Sequence, residues 1–167
     1  GNILNISEGD WVLDPFSGSG TTLLEAAHIG WNAVGVEINP LAVKIANAKV
    51  DSIKIPISEL EKAVDRVNSD LRTEYGDCDY ETPFDEGYID KLAGDNWKSS
   101  FYGIEFIDKW FVDSVLVQIW SIQNRINKID SENIRSIFRV VLSDLLREVS
   151  LQDTGDLRTR RESSPPE

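Results

Sequence analysis

The residues of this chain best suited to chemistry lie in one stretch, Asp14-Pro15-Phe16-Ser17-Gly18-Ser19-Gly20-Thr21-Thr22, with an acidic residue, Glu37, nineteen positions after Gly18. These residue types hold ligands. Gly18 and Gly20 can adopt positive φ and let a ligand approach the backbone closely. A helix leaving such a turn presents free N–H groups. Glu37 falls where nucleotide-binding folds grip a ribose through its hydroxyls. The chemistry indicated is the capture of a nucleotide-like cofactor.

The elements that must position this turn can be read on either side of it. Trp11-Val12-Leu13 is short, bulky and apolar, as in a buried strand of a parallel sheet. Asp14 then sits at the strand's carboxyl end, where open α/β sheets bind ligands. Thr21 to Ile29 reads as a helix, with Leu23, Leu24, Ala26 and Ala27 on its apolar face and Gly30 as its stop. A second strand, Ala33-Val34-Gly35-Val36, leads into Glu37. Asn39 is then an N-cap and Pro40 the first residue of a helix through Val50. The predicted unit is β-turn-α-β-α.

Several readings compete for the loop. A P-loop requires a Lys and a hydroxyl residue after a longer glycine loop, and Gly-x-Gly-Thr-Thr offers no Lys. The dinucleotide fingerprint wants a third small residue three places after the second glycine, where this chain has Leu23. A bare Gly-x-Gly also fits an ordinary tight turn.

The neighbouring residues separate these readings. Asp-Pro-Phe-x-Gly-Ser-Gly-Thr-Thr, then Leu-Leu-Glu-Ala-Ala, then Gly-Val-Glu-Ile-Asn-Pro resembles the S-adenosylmethionine site of the amino-methyltransferases, above all those that methylate N6 of adenine or N4 of cytosine in DNA. The resemblance runs from Val12 to Lys49, about a quarter of the chain. It implies S-adenosyl-L-methionine as cofactor and an α/β fold class: a Rossmann-like methyltransferase βαβα portion at the N-terminus with a mainly α-helical extension. It further implies that the glycine loop, with Asp14, Ser17, Gly18, Ser19, Gly20, Thr21 and Thr22, wraps the methionine part, and that Phe16 packs nearby. Glu37 would bind the ribose, Ile38 would lie against the adenine, and Asn39 completes the implied set. The physics agrees with such roles, since a zwitterionic tail suits backbone N–H groups and a carboxylate, and a sugar diol suits a bidentate acceptor.

Composition bounds the rest. A chain of 167 residues, 41% hydrophobic and 28% charged, can bury one core. No apolar run approaches membrane-spanning length, so no membrane association is expected. The single cysteine, Cys78, excludes an internal disulfide and fits a reducing, cytoplasmic setting. With His28 as the one histidine, placed near the end of the first helix, no metal site is expected. There is no signal-peptide pattern. Methionine is absent even at position 1, which reads as an excised or processed piece. The net charge of −12 opposes direct contact with phosphates. Only Arg158, Arg160 and Arg161 make a basic cluster, and a solvated tail is the plainer reading of it.

Beyond Val50 the alternation of strand and helix stops. A capping box of Ser58 and Glu61 opens a helix over 58–74, with Leu60, Val64, Val67 and Leu71 on one face. Residues 76–103 form an acidic, Gly- and aromatic-rich segment that reads as a loop. Its neighbourhood supplies Tyr75, Tyr80, Phe84, Tyr88, Trp97, Phe101 and Tyr102. These are expected to pin the loop to the core, with base stacking as the alternative. Ile107, Phe111, Val115, Ile119, Ile122, Ile126 and Ile129 mark one long helix, and 131–149 another, expected to pack as an antiparallel pair. The expected divisions are 1–57 for cofactor binding, 58–150 for the helical extension and 151–167 for a flexible tail. Self-association through 104–149 is a further use of the apolar stripes.

The amino-methyltransferases also use an Asp/Asn/Ser-Pro-Pro-aromatic segment after a strand. Ser164-Pro165-Pro166-Glu167 matches it in three places and puts Glu where the aromatic belongs. Catalytic residues are therefore unknown. The chain reads as the cofactor-binding part of a DNA amino-methyltransferase, inactive alone, with DNA contacted through another part of the protein. An RNA amino-methyltransferase piece and a non-catalytic interaction module with a relict pocket are the alternatives.

Overall fold

The computed structural model describes residues 7–75 and 97–151. Its described elements are β1 (Trp11–Asp14), α1 (Thr21–His28), β2 (Asn32–Gly35), α2 (Pro40–Ser52), α3 (Ile57–Tyr75), a 3-10 turn at Lys98–Phe101, the single-turn α4 (Ile107–Trp110), α5 (Asp113–Ile126) and α6 (Glu132–Glu148). The described residues are mostly helical with one small parallel sheet, an α/β arrangement. It divides into two compact units, the chain as far as Glu61 with Asp130–Val140, and Lys62–Ile129 with Val141 onward.

In the first unit β1 and β2 pair in parallel, Trp11 opposite Asn32, Val12 opposite Ala33, Leu13 opposite Val34 and Asp14 opposite Gly35. Helix α1 packs against both strands and against α2. Small residues make that approach close, since Ala26, Ala46 and Ala48 are all buried. Val12 and Ala33 are half-buried, whereas Trp11, Leu13 and Val34, which alternate with them, stay largely exposed. Local sequence sets the helix ends. Gly30 takes φ 77 just past the C-cap Ile29. Asn39 Oδ1 accepts from the Leu41 amide at 2.9 Å, so the cap expected of Asn39-Pro40 is formed. At the start of α6, Ser131 Oγ accepts from the Ile134 amide at 3.4 Å.

The capping box expected at Ser58 is not the start of α3. The helix begins one residue earlier, at Ile57, and the Pro56 carbonyl accepts from the amides of Glu59 and Leu60. Pro56, with its fixed φ and no N–H, makes the entry and leaves Ser58 inside the first turn.

In the second unit Trp97, Leu116 and Val117 form the buried centre, with Phe101, Ile107, Phe111, Ile119 and Trp120 packed around it. The single long helix expected from Ile107 to Ile129 is broken into α4 and α5. Phe111 (φ −138, ψ 141) and Val112 (φ −78, ψ 154) are extended, which lets Phe111 reach the core. Asp113 then suits the fresh helix start. Around Leu116, Val117, Ile119 and Trp120 the apolar face of α5 is met by Trp97, Phe101, Ile107 and Phe111. On α6, Val141 and Leu145 remain exposed. Trp97 and Phe101 pin their segment to the core as expected, while Tyr102 is 93% exposed and pins nothing.

The second unit also holds a polar joint between α3 and α5. Arg125 forms an ion pair with Glu74. Its Nη1 donates to the carbonyl and hydroxyl of Ser121 at 2.9 and 2.6 Å, and its Nη2 to the Asp70 carbonyl at 3.4 Å. Burial pushes the Arg125 pKa down, partly offset by the charge of Asp70. Cys78, Tyr80, Phe84, Tyr88, most of the acidic loop and the tail with Arg158, Arg160, Arg161 and Ser164–Glu167 lie outside the described residues.

Candidate cofactor site

The loop between β1 and α1 is built by a chain of short-range decisions. Asp14 Oδ1 accepts from the Phe16 amide at 3.1 Å, an Asx-type turn that ends the strand and swings the chain outward. Gly18 (φ 52) and Gly20 (φ 82) both take the left-handed conformation that the spacing predicted. Gly20 donates to the Ser17 carbonyl at 2.8 Å and is itself the N-cap of α1. Thr21 and Thr22 open that helix and are exposed. Their amides belong to a first turn, which has no intrahelical acceptors for them.

The second strand locks the loop from the side. Ser17, itself buried, donates to the Val36 carbonyl from its amide at 3.0 Å and from its hydroxyl at 3.3 Å. Glu37 Oε2 accepts from the Gly18 amide at 2.9 Å, and its Oε1 accepts from the Asn39 amide at 2.7 Å. One carboxylate therefore ties the glycine loop to the β2–α2 corner. An ionised carboxylate has about four acceptor positions, so two backbone donors leave capacity for a diol. Beside this polar seam stand two bare apolar side chains, Phe16 at 89% and Ile38 at 97% exposure.

The structure brings Asp14, Phe16, Ser17, Gly18, Ser19, Gly20, Glu37 and Asn39 together around one loop, and Thr21, Thr22 and Ile38 at its margins. Three residues outside that set shape it. An added Cβ on Gly35 would lie 2.8 Å from Leu23 Cδ1 and from Ser17 Cβ. An added Cβ on Gly20 would lie 2.6 Å from Ala46 Cβ. Lys49 Nζ donates to both the carbonyl and the hydroxyl of Ser19, each at 3.1 Å. Gly35, two residues before Glu37, carried a signal, since a glycine inside a strand marks a close approach, whereas Ala46 and Lys49 carried none. Among the described residues no group of three His, Cys, Asp or Glu could hold a metal ion, and no helix is long and apolar enough to cross a membrane.

A family model described as DNA methylase matches residues 4–48, the segment that contains this whole loop and Glu37. The Type II methyltransferase M.MvaI of Kocuria varians is 33% identical over 149 residues, 89% of this chain and 29% of that protein. This chain belongs to the DNA amino-methyltransferase family. The Type II methyltransferase M.MjaII of Methanocaldococcus jannaschii is 24% identical over 198 aligned positions, 92% of this chain and 37% of that protein. The Type II methyltransferase M.MthZI of Methanothermobacter thermautotrophicus is 58% identical over 31 residues, 19% of this chain and 9% of its own length. The chain thus spans well under half the length of these Type II methyltransferases. No solved structure matches it.

Proposed function

We propose that this chain is the S-adenosylmethionine-binding part of a methyltransferase acting on an exocyclic amino group of a DNA base, N6 of adenine or N4 of cytosine. The observation that carries the reading is the carboxylate of Glu37, held by the amides of Gly18 and Asn39 at the end of β2. DNA as the substrate rests on the family and on its Type II relatives. A Rossmann-like surround is part of the proposal.

The residues present fit the cofactor. Nothing lies within 4 Å of the position a Gly18 Cβ would take, so the loop has an open side. Glu37 retains acceptor capacity for the ribose hydroxyls. Phe16 and Ile38 offer exposed apolar surface for the adenine. The amides of Ser19, Thr21 and Thr22, at the amino end of α1, suit the carboxylate of the methionine tail. When bound, the cofactor supplies an electrophilic methyl group. What this chain contributes is orientation. The loop fixes the amino-acid end and Glu37 fixes the sugar, so the sulfur between them is constrained at two points. Such positioning lowers the entropic part of a barrier without any proton transfer by the loop.

Calorimetry with S-adenosylmethionine and S-adenosylhomocysteine on this chain and on Glu37→Ala tests the reading. Saturable binding abolished by the substitution is expected. A folded wild type that binds neither compound would sink it.

A further inference from the structure

A glycine flanks Ser19 on each side, and glycine restrains the backbone least. Its neighbours are tied from β2, Ser17 through the Val36 carbonyl and Gly18 through Glu37. Ser19 is tied from elsewhere. Lys49, thirty residues away in the last turn of α2, donates to its carbonyl and its hydroxyl, each at 3.1 Å. The peptide that joins Ser19 to Gly20 is therefore held at both ends, its carbonyl by Lys49 and its N–H by the Ser17 carbonyl at 2.8 Å. Without Lys49 only one end is fixed, and Gly20 on its far side restrains rotation of the peptide little. One turn earlier on α2, Ala46 meets Gly20 so closely that no Cβ fits between them. Ala46 and Lys49 make one face of α2 the seat of the loop.

We propose that Lys49 is a positioning residue for the methionine-binding half of the cofactor site, acting by fixing the orientation of the Ser19–Gly20 peptide. This rests on the cofactor reading above. A bridging ammonium of this kind forms charge-assisted hydrogen bonds, stronger than neutral ones and dependent on the cation. Its loss loosens the part of the site that meets the amino-acid tail and leaves Glu37, which meets the sugar, untouched.

The test uses two ligands and two variants of the same chain. S-Adenosylhomocysteine carries the amino-acid tail, and 5′-methylthioadenosine lacks it. Lys49→Met keeps the aliphatic stem and removes the ammonium, whereas Lys49→Arg keeps a cationic donor. By calorimetry, Lys49→Met is expected to weaken S-adenosylhomocysteine on the order of tenfold, about the worth of one charge-assisted hydrogen bond. The same variant should leave 5′-methylthioadenosine within about twofold, and Lys49→Arg should recover most of the loss. In the ligand-free protein, the Gly20 amide should exchange faster in Lys49→Met. Wild-type-like binding of S-adenosylhomocysteine by Lys49→Met overturns the proposal while leaving the cofactor site intact. Equal weakening of both ligands also overturns it, by showing general disruption. If the folded wild type binds neither ligand, the cofactor reading itself fails and this proposal with it.

Discussion

The two loop glycines share a left-handed backbone and differ in what surrounds them, so the same substitution at each should have different costs. At Gly18 (φ 52) an added Cβ meets nothing within 4 Å. The cost of Gly18→Ala is then the left-handed penalty for an L-residue, about 1 kcal/mol. At Gly20 (φ 82) the same Cβ would sit 2.6 Å from Ala46 Cβ and 2.9 Å from Ala46 Cα. Carbon atoms rest at roughly 3.5–4.0 Å, so α1 and α2 must part by about 1 Å. Ala46 Cα and Cβ are fixed by the helix backbone and cannot swing aside. Overpacking of this kind costs roughly 1–3 kcal/mol, which brings Gly20→Ala to about 3 kcal/mol in all. Urea unfolding followed by circular dichroism, with midpoints compared at unchanged slope, should separate the two variants by about 2 kcal/mol. Adding Ala46→Gly removes the shorter contact and leaves the 2.9 Å one. The double variant should therefore recover part of the loss, with a coupling of about 1 kcal/mol. Equal destabilisation by the two alanines, or strict additivity of Gly20→Ala with Ala46→Gly, would refute the claim that contact with α2 sets this position.

Glu37→Ala strips the acceptor from the amides of Gly18 and Asn39. It should reduce S-adenosylhomocysteine affinity by at least about thirtyfold, and Glu37→Gln, which keeps one acceptor oxygen, should lose less in the same titration. Asn39→Ala should destabilise by about 1 kcal/mol and Asn39→Asp by much less, because the Leu41 amide needs only an oxygen acceptor; thermal or urea unfolding reads both. In the polar joint of the second unit, Glu74→Ala should cost about 3 kcal/mol and Arg125→Ala about 2 kcal/mol. The order follows from burial, since the Arg125 side chain is 11% exposed and Glu74 25%, so an orphaned Arg125 rehydrates less easily. A reversed order in urea unfolding would count against that account.

How far the sequence was legible follows the range over which each feature is decided. The turn at Asp14, the left-handed glycines, the Asn39-Pro40 cap and the stop at Gly30 depend on residues within one or two turns, and they form as read. The break at Phe111–Val112 was hidden because the apolar spacing of three and four continues straight through it. Periodicity reports which side chains want burial, and here burial is reached by an extended step that swings Phe111 toward Trp97 and Leu116. The loop's supports were hidden for a related reason. Ser19 and Lys49 lie thirty positions apart, and nothing in either neighbourhood announces the other.

Leu23 shows why a fingerprint should be read as a volume requirement. The dinucleotide pattern calls for a small residue there so that helix and strand can approach, and Leu23 denies it only if the helix alone must supply the space. In this chain the strand supplies it. Gly35 has no Cβ where one would come within 2.8 Å of Leu23 Cδ1 and of the Ser17 hydroxyl, so the large residue stands on α1 and the small one on β2. That exchange keeps Ser17 close enough to donate to the Val36 carbonyl, and Val36 leads directly to Glu37. The geometry of the carboxylate at the loop thus depends on a glycine two residues before it.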